Sequence, residues 1–306
     1  PATATFGMET AGDTTRLTDF SLRGETFGAS GSIVLDSSGL QSARFSRIAL
    51  NRGDDASLNL SRSGSRYSID VRGKSFDVRS LVKTLDPIGG TDSKGADGSP
   101  PSTLAVKVDA DLETLSGFNG ETLGGVKLAY SGRGADIDTL RATATTRSGG
   151  HFAVVDATAG GNRRVELQAS DAGAMLRFLD IYPNMRAGSV ALSLAGPRGR
   201  TLRGHIEVND FVIANEQRLN SIVASAPPGD SRSLNDAVRS NVDVSEARID
   251  RGFARLEKGK GYLRVTEGVV RGPMIGSTFQ GTLFDETGDM NITGTFMPAY
   301  GLNRIF

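Results

Sequence analysis

The sequence predicts a mainly β fold: an elongated, strongly curved antiparallel sheet built from degenerate repeats, whose apolar face forms a groove, with a few short helices. Three observations predict it. Apolar and polar residues alternate with a period of two along much of the chain, as in strands with one dry face and one wet face. Gly, Ser, Asn and Asp interrupt the alternation every five to ten residues, as turns between antiparallel strands require. Apolar side chains are also sparse: the 306 residues include no Trp and only 6% aromatics, and Leu, Ile, Val and Phe make up about a quarter of the chain, little above the level typical of disorder. A closed globule would have a thicker core, so an open trough is favoured over the alternatives, a β-sandwich or β-solenoid.

Along the chain, Tyr67, Ile69 and Val71 form the first clear alternation. Val78, Leu81, Val82 and Leu85 then repeat at i, i+3, i+4 and i+7 after a possible Ser75 cap, which predicts a short helix near 76–86. Residues 89–101 are rich in turn formers and read as a flexible linker. Beyond it, Leu104, Val106 and Val108 alternate with Ala105, Lys107 and Asp109, and Ala110 and Leu112 continue the pattern. Val165 and Leu167 precede a second helical stripe, Ala172, Met175, Leu176 and Leu179, expected near 171–181. The two strand-to-helix passages lie about 94 residues apart, the basis for the repeat reading. Val190, Leu192 and Leu194, then Ile206 and Val208, mark further strands. Leu219, Ile222 and Val223 predict a third helix near 216–224, followed by a loose stretch at 226–233. Leu263 and Val265, then Ile292 and Phe296, alternate near the C-terminal end. The expected organisation is a first β repeat over 1–88, the linker 89–101 and a β region over 102–306.

Charge and chemistry exclude more than they suggest. Lys plus Arg and Asp plus Glu each number 35, so no net field attracts nucleic acid. With no Cys, disulfides, thiolate metal sites and cysteine nucleophiles are excluded. The apolar runs fall far short of the ~20 residues that span a bilayer. His151 and His205 share no local motif and read as solvent-facing strand residues. No G-x-S-x-G elbow, Walker A loop or H-E-x-x-H helix occurs. Asp109-x-Asp111-x-Glu113 begins like a calcium loop, but Thr114 stands where the turn needs Gly. Gly28-x-x-Gly31 precedes a strand rather than the helix a phosphate site needs. The expectation is no enzymatic activity, no cofactor and no metal. What remains is the apolar face, with Leu104, Val106, Val108, Val165, Leu167, Val190, Leu192, Leu194, Ile206, Val208, Leu263, Val265, Ile292 and Phe296 as its candidate groove residues.

The C-terminal third carries a resemblance. GYLRVTEGVVRGPMIGSTFQGTL (261–283) and NITGTFMPAYGLN (291–303), with SDAGAMLRFLDIY (170–182) and GHIEVNDF (204–211) upstream, resemble the AsmA-like C-terminal region of large bacterial envelope proteins related to YhdP and TamB. The resemblance covers about 104–306 well and the first hundred residues loosely. It implies a periplasmic segment of a bridge-like lipid transfer protein, held by an inner-membrane anchor that another part of the chain would supply. Such a segment would carry phospholipid acyl chains along an apolar β groove between inner and outer membranes and support envelope integrity. Other envelope proteins are possible partners. The chain starts at Pro1 and stops at Phe306 within an apolar segment, as expected of a piece of a longer protein. Some fifteen strands at ~4.7 Å spacing would make a trough of about 70 Å. The competing classes are a hydrolytic or carbohydrate-active protein, which needs convergent charged groups, and a structural or adhesive envelope module without cargo.

Overall fold

Alternating sequence of this kind pays its backbone hydrogen bonds into ladders, and nearly every described segment does so. The computed structural model describes residues 1–51, 53–84, 104–134, 136–216, 245–273, 275–285 and 289–298. They form seventeen strands and two helices, not closed into a barrel, and fall into two compact units. The first comprises residues 1–85, 93–149 and 153–158, and the second 86–92, 150–152 and 159–306. The stretch 89–101 lies outside the described residues, as do the expected helix near 216–224 beyond Glu216 and the loose stretch 226–233.

The first unit contains β1 (Thr3–Ala11), β2 (Thr14–Arg23), β3 (Gly28–Asp36), β4 (Gly39–Ala49), β5 (Asp55–Ser63), β6 (Arg66–Asp77), α1 (Arg79–Thr84), β7 (Ala105–Ser116), β8 (Thr122–Arg133), β9 (Asp136–Thr146) and most of β10 (His151–Ala159). Strands β1 to β6 pair in sequence order and antiparallel, as do β7, β8 and β9. The expected antiparallel sheet departs from that pairing at one junction. There β6 and β7 pair in parallel, from Arg66↔Ala105 to Asp77↔Ser116, so the sheet is mixed. A tight hairpin cannot join parallel neighbours, and 27 residues, α1 among them, separate the end of β6 at Asp77 from the start of β7 at Ala105.

The second unit holds β11 (Asn162–Ala169), α2 (Ala172–Phe178), β12 (Met185–Pro197), β13 (Leu202–Ala214), β14 (Glu246–Gly259), β15 (Tyr262–Arg271), β16 (Ile275–Phe284) and β17 (Asn291–Pro298). All of its consecutive pairs are antiparallel. Thus β11 and β12 are antiparallel around α2, whereas β6 and β7 are parallel around α1. The two strand-to-helix passages share a local plan but not a pairing direction.

Both helices form where the apolar stripes predict. Ser75 is not the cap of the first: it sits within β6, paired with Asp55 and Thr114, and its hydroxyl donates to Gly53 O at 2.6 Å. The strand persists because both neighbours hold it, and Asp77 instead accepts the Arg79 N–H at 3.0 Å. Asp171 caps α2, its carboxylate accepting the Ala174 N–H at 2.9 Å. The buried side of α2 presents Ala172, Met175 and Phe178. With Met185, Phe211, Ala247, Ile249 and Ile275, Ala172 forms an apolar cluster that closes one end of the second unit's dry face.

Candidate functional site

In an antiparallel sheet, directly paired residues point to the same face, so register decides whether scattered apolar residues form one surface. In the second unit they do. One row runs Val165↔Leu194↔Gly204↔Leu256↔Val265↔Gly281↔Ile292, and the next runs Leu167↔Leu192↔Ile206↔Ala254↔Gly268↔Phe279↔Gly294. A third row contains Val190↔Val208↔Gly252↔Val270↔Ser277↔Phe296, and Leu263, paired with Lys258 and Phe284, continues the face. Ten candidate residues of this unit therefore share one side of the sheet, and the remaining one, Phe296, pairs with Ser277 in the third row. Glycine lets the rows approach closely: a Cβ on Gly204 would lie 1.8 Å from Ser193 O, and one on Gly268 would lie 2.5 Å from the Phe279 ring that covers it.

The face is not uniformly open. Leu194 (6% exposed) and Val265 (2%) are buried with Leu202, Ala254 and Leu256, while Val165, Leu192, Ile206, Leu263 and Phe279 pack around them half-buried. Leu167, Val190, Val208 and Ile292 are also half-buried.

The first unit builds an equivalent face. A line of paired residues crosses eight strands: Met8↔Leu17↔Ile33↔Ala43↔Leu60↔Ile69↔Val108↔Tyr130, and ends on Leu140 in β9. Val106 lies beside Tyr67 in the adjoining row, and Leu104 directly precedes β7 in the same alternation. Apart from Met8, at 67% exposure, and buried Ala43, these side chains are half-buried. Burial, with the nearby Asp138 charge, pushes the Tyr130 phenol above its ordinary pKa.

The opposite faces are ionic. In the second unit Arg203 pairs with Glu257 at 3.1 Å, Arg251 with Glu207 at 3.0 Å and Arg255 with Glu267 at 2.9 Å. The Tyr262 hydroxyl and then Arg203 hold the Glu257 carboxyl below the ordinary carboxylate range. In the first, Lys107 meets Asp109 at 2.7 Å and Arg72 meets Asp70 at 2.9 Å. Exposed His205 lies on this wet side, stacked on Phe253 with ring centroids 6.0 Å apart, in an open hollow shared with Glu207 and Glu257. Both carboxylates are engaged by arginines, and the imidazole makes no hydrogen bond to either. His151 is exposed on another strand. No group of three or more metal-ligating side chains occurs among the described residues, and no helix there is long and apolar enough to cross a membrane.

Several residues of the dry faces escaped the sequence pattern. Leu17, Ile33, Phe45 and Leu58 alternate, but register shifts between Leu17 and Phe20 and between Phe45 and Ile48 break the phase. An added residue moves the following side chains to the other face, so unbroken alternation misses them. Ala254 and Leu256 were masked by Phe253, which lies on the wet side. Comparison with known proteins finds no matching family model, no matching curated protein and no matching solved structure.

Proposed function

We propose that the chain is a periplasmic segment of an AsmA-like, bridge-like lipid transfer protein, and that its apolar sheet faces hold phospholipid acyl chains in a groove between inner and outer membranes. The observation that supports this most is the register. The candidate residues of each unit fall into adjoining rows on one side of the sheet, while the reverse side carries the ion pairs. An acyl chain moved from water onto such a surface gains about 0.8 kcal/mol for each buried methylene. A conduit needs no convergent acid, base or metal, so the function is transfer rather than catalysis, and the inner-membrane anchor belongs to another part of the chain. Envelope integrity would follow from the lipid supply, other envelope proteins are candidate partners, and nucleic acid is not one.

The burial of Leu194 and Val265 favours a second reading, a structural or adhesive envelope module whose dry face is ordinary core. Native mass spectrometry of the purified chain separates the two. The lipid reading expects bound phospholipid in the wild type and its loss, without unfolding, in a Val106→Glu, Val108→Glu variant. A wild type free of lipid, or a variant that unfolds, supports the structural module.

A further inference from the structure

The strand ends of the second unit differ in charge from one side to the other. At one end, three turns lie side by side: 159–163, 197–201 and 258–262. They are joined by the Arg198 N–H donating to Gly161 O at 2.9 Å and by the Thr201 and Tyr262 hydroxyls at 3.4 Å. These turns contribute Arg163, Arg198, Arg200, Lys258 and Lys260 and contain no acid. The row stops at the next strand ends along, where Asp285 and Asp289 stand. At the opposite strand ends acids and bases mix, with Asp171, Asp180, Glu216 and Glu246 among Arg177, Arg186, Arg248 and Arg271.

Lys258 links this basic end to the dry face. Its register partners are Leu202 and Leu263, so its stem belongs to the apolar rows, and its ammonium stands 4.7 Å over the Phe284 ring. A lysine with an apolar stem and a charge at the margin is the arrangement that meets an amphiphile at the boundary between its tail and its head. Arg198, Arg200 and Lys260 lie just beyond it, all exposed.

We propose that this row of basic turns binds the anionic headgroup of a phospholipid whose acyl chain lies on the second unit's apolar face, and so selects net negative lipids over zwitterionic ones. The inference rests on the reading that the face takes acyl chains, and adds polarity to it: heads at the 159–163, 197–201 and 258–262 end, tails across the rows toward α2. A phosphodiester offers acceptor oxygens to Arg and Lys, and a headgroup without a compensating cation keeps its net charge for them.

The test is calorimetric titration of the 306-residue chain with lysophosphatidylglycerol and lysophosphatidylcholine of equal acyl length below their micelle concentrations, and with inorganic phosphate alone. The expected result is about tenfold tighter binding of the anionic amphiphile, on the scale of one charge-assisted contact, with the preference shrinking as salt screens the exposed charges. An Arg198→Gln, Arg200→Gln, Lys260→Gln variant, which keeps Arg163 and Lys258, should lose most of the preference while keeping the wild-type affinity for the zwitterionic amphiphile. Equal binding of the two by wild type overturns the headgroup inference but leaves the acyl reading standing. Binding of neither overturns both. Phosphate alone binding as tightly as the anionic amphiphile makes the row a free-phosphate site and overturns the inference. Should the triple variant misfold, the salt dependence of wild-type discrimination decides: a preference insensitive to salt contradicts it.

Discussion

Single residues on the two units' dry faces have different jobs. Leu194 and Val265 are sealed among Leu202, Ala254 and Leu256, whereas Val106 and Val108 are half-buried. Leu194→Ala should therefore cost about 2–5 kcal/mol, the range for a buried leucine, and Val106→Ala about 1 kcal/mol or less, as read by urea unfolding. Equal losses would mean that the two rows are packed alike. Asp54, 3% exposed, accepts the N–H groups of Leu50 at 2.8 Å, Asn51 at 2.9 Å and Asp77 at 2.8 Å, and so ties the β4–β5 turn to the end of β6. Asp54→Ala leaves those donors without their acceptor and should cost at least about 2 kcal/mol. A neutral outcome would show that water replaces the carboxylate. Next to it, the Arg79 guanidinium holds the Asp77 carboxyl below its ordinary pKa, with the Arg79 N–H helping. Because the folded pKa is depressed, this pair stabilises the fold fully above the unfolded carboxylate value of ~3.9 and loses its effect as pH falls through the lower folded value. The stability gap between wild type and Asp77→Asn should accordingly shrink between about pH 5 and pH 2. A gap that stays constant over that range contradicts the assignment.

At the scale of elements, α2 is held by its cap and by close approach to β12. Removing the cap by Asp171→Ala should cost about 1 kcal/mol. A Cβ on Gly173 would fall 2.6 Å from Met185 O, so Gly173→Val should lift the helix and expose the Met185 and Phe211 cluster to an apolar dye, an effect Asp171→Ala should show more weakly. No rise in dye binding would mean that α2 does not cover that end. The elements that the sequence made legible are those with unbroken periodicity: Val106–Val108 and Val190–Leu194 as strands, the Ala172, Met175 and Leu176 stripe as a helix. What was hidden depends on partners. The parallel β6–β7 pairing is set across a long connection, and the bulges in β2 and β4 invert facing without changing composition. Burial of Leu194 and Val265 depends on neighbouring strands, and alternation is blind to it.

For the molecule as a whole, the sparse apolar composition is reconciled with stable folding by gathering the paired apolar rows on one side of each unit's sheet. Small residues on that side, Ala43, Ala56, Ala144 and Ala254 among them, are buried, so bulky side chains are spared for the rows that stay half-exposed. The wet side carries cross-strand ion pairs such as Arg251–Glu207 and Arg255–Glu267, which add little energy each at such exposure. The proposed function therefore predicts that lipid contacts one side only. Lys107 and Val108 are adjacent in β7 and point to opposite faces, so they provide an internal control at the same height in the sheet. A photo-crosslinking residue placed at each position in turn, in cells with radiolabelled phospholipid, tests the claim most directly. A lipid-bearing dry face gives labelled lipid on the Val108 variant and none on the Lys107 variant; equal labelling at both positions, or none at either, overturns the proposed function.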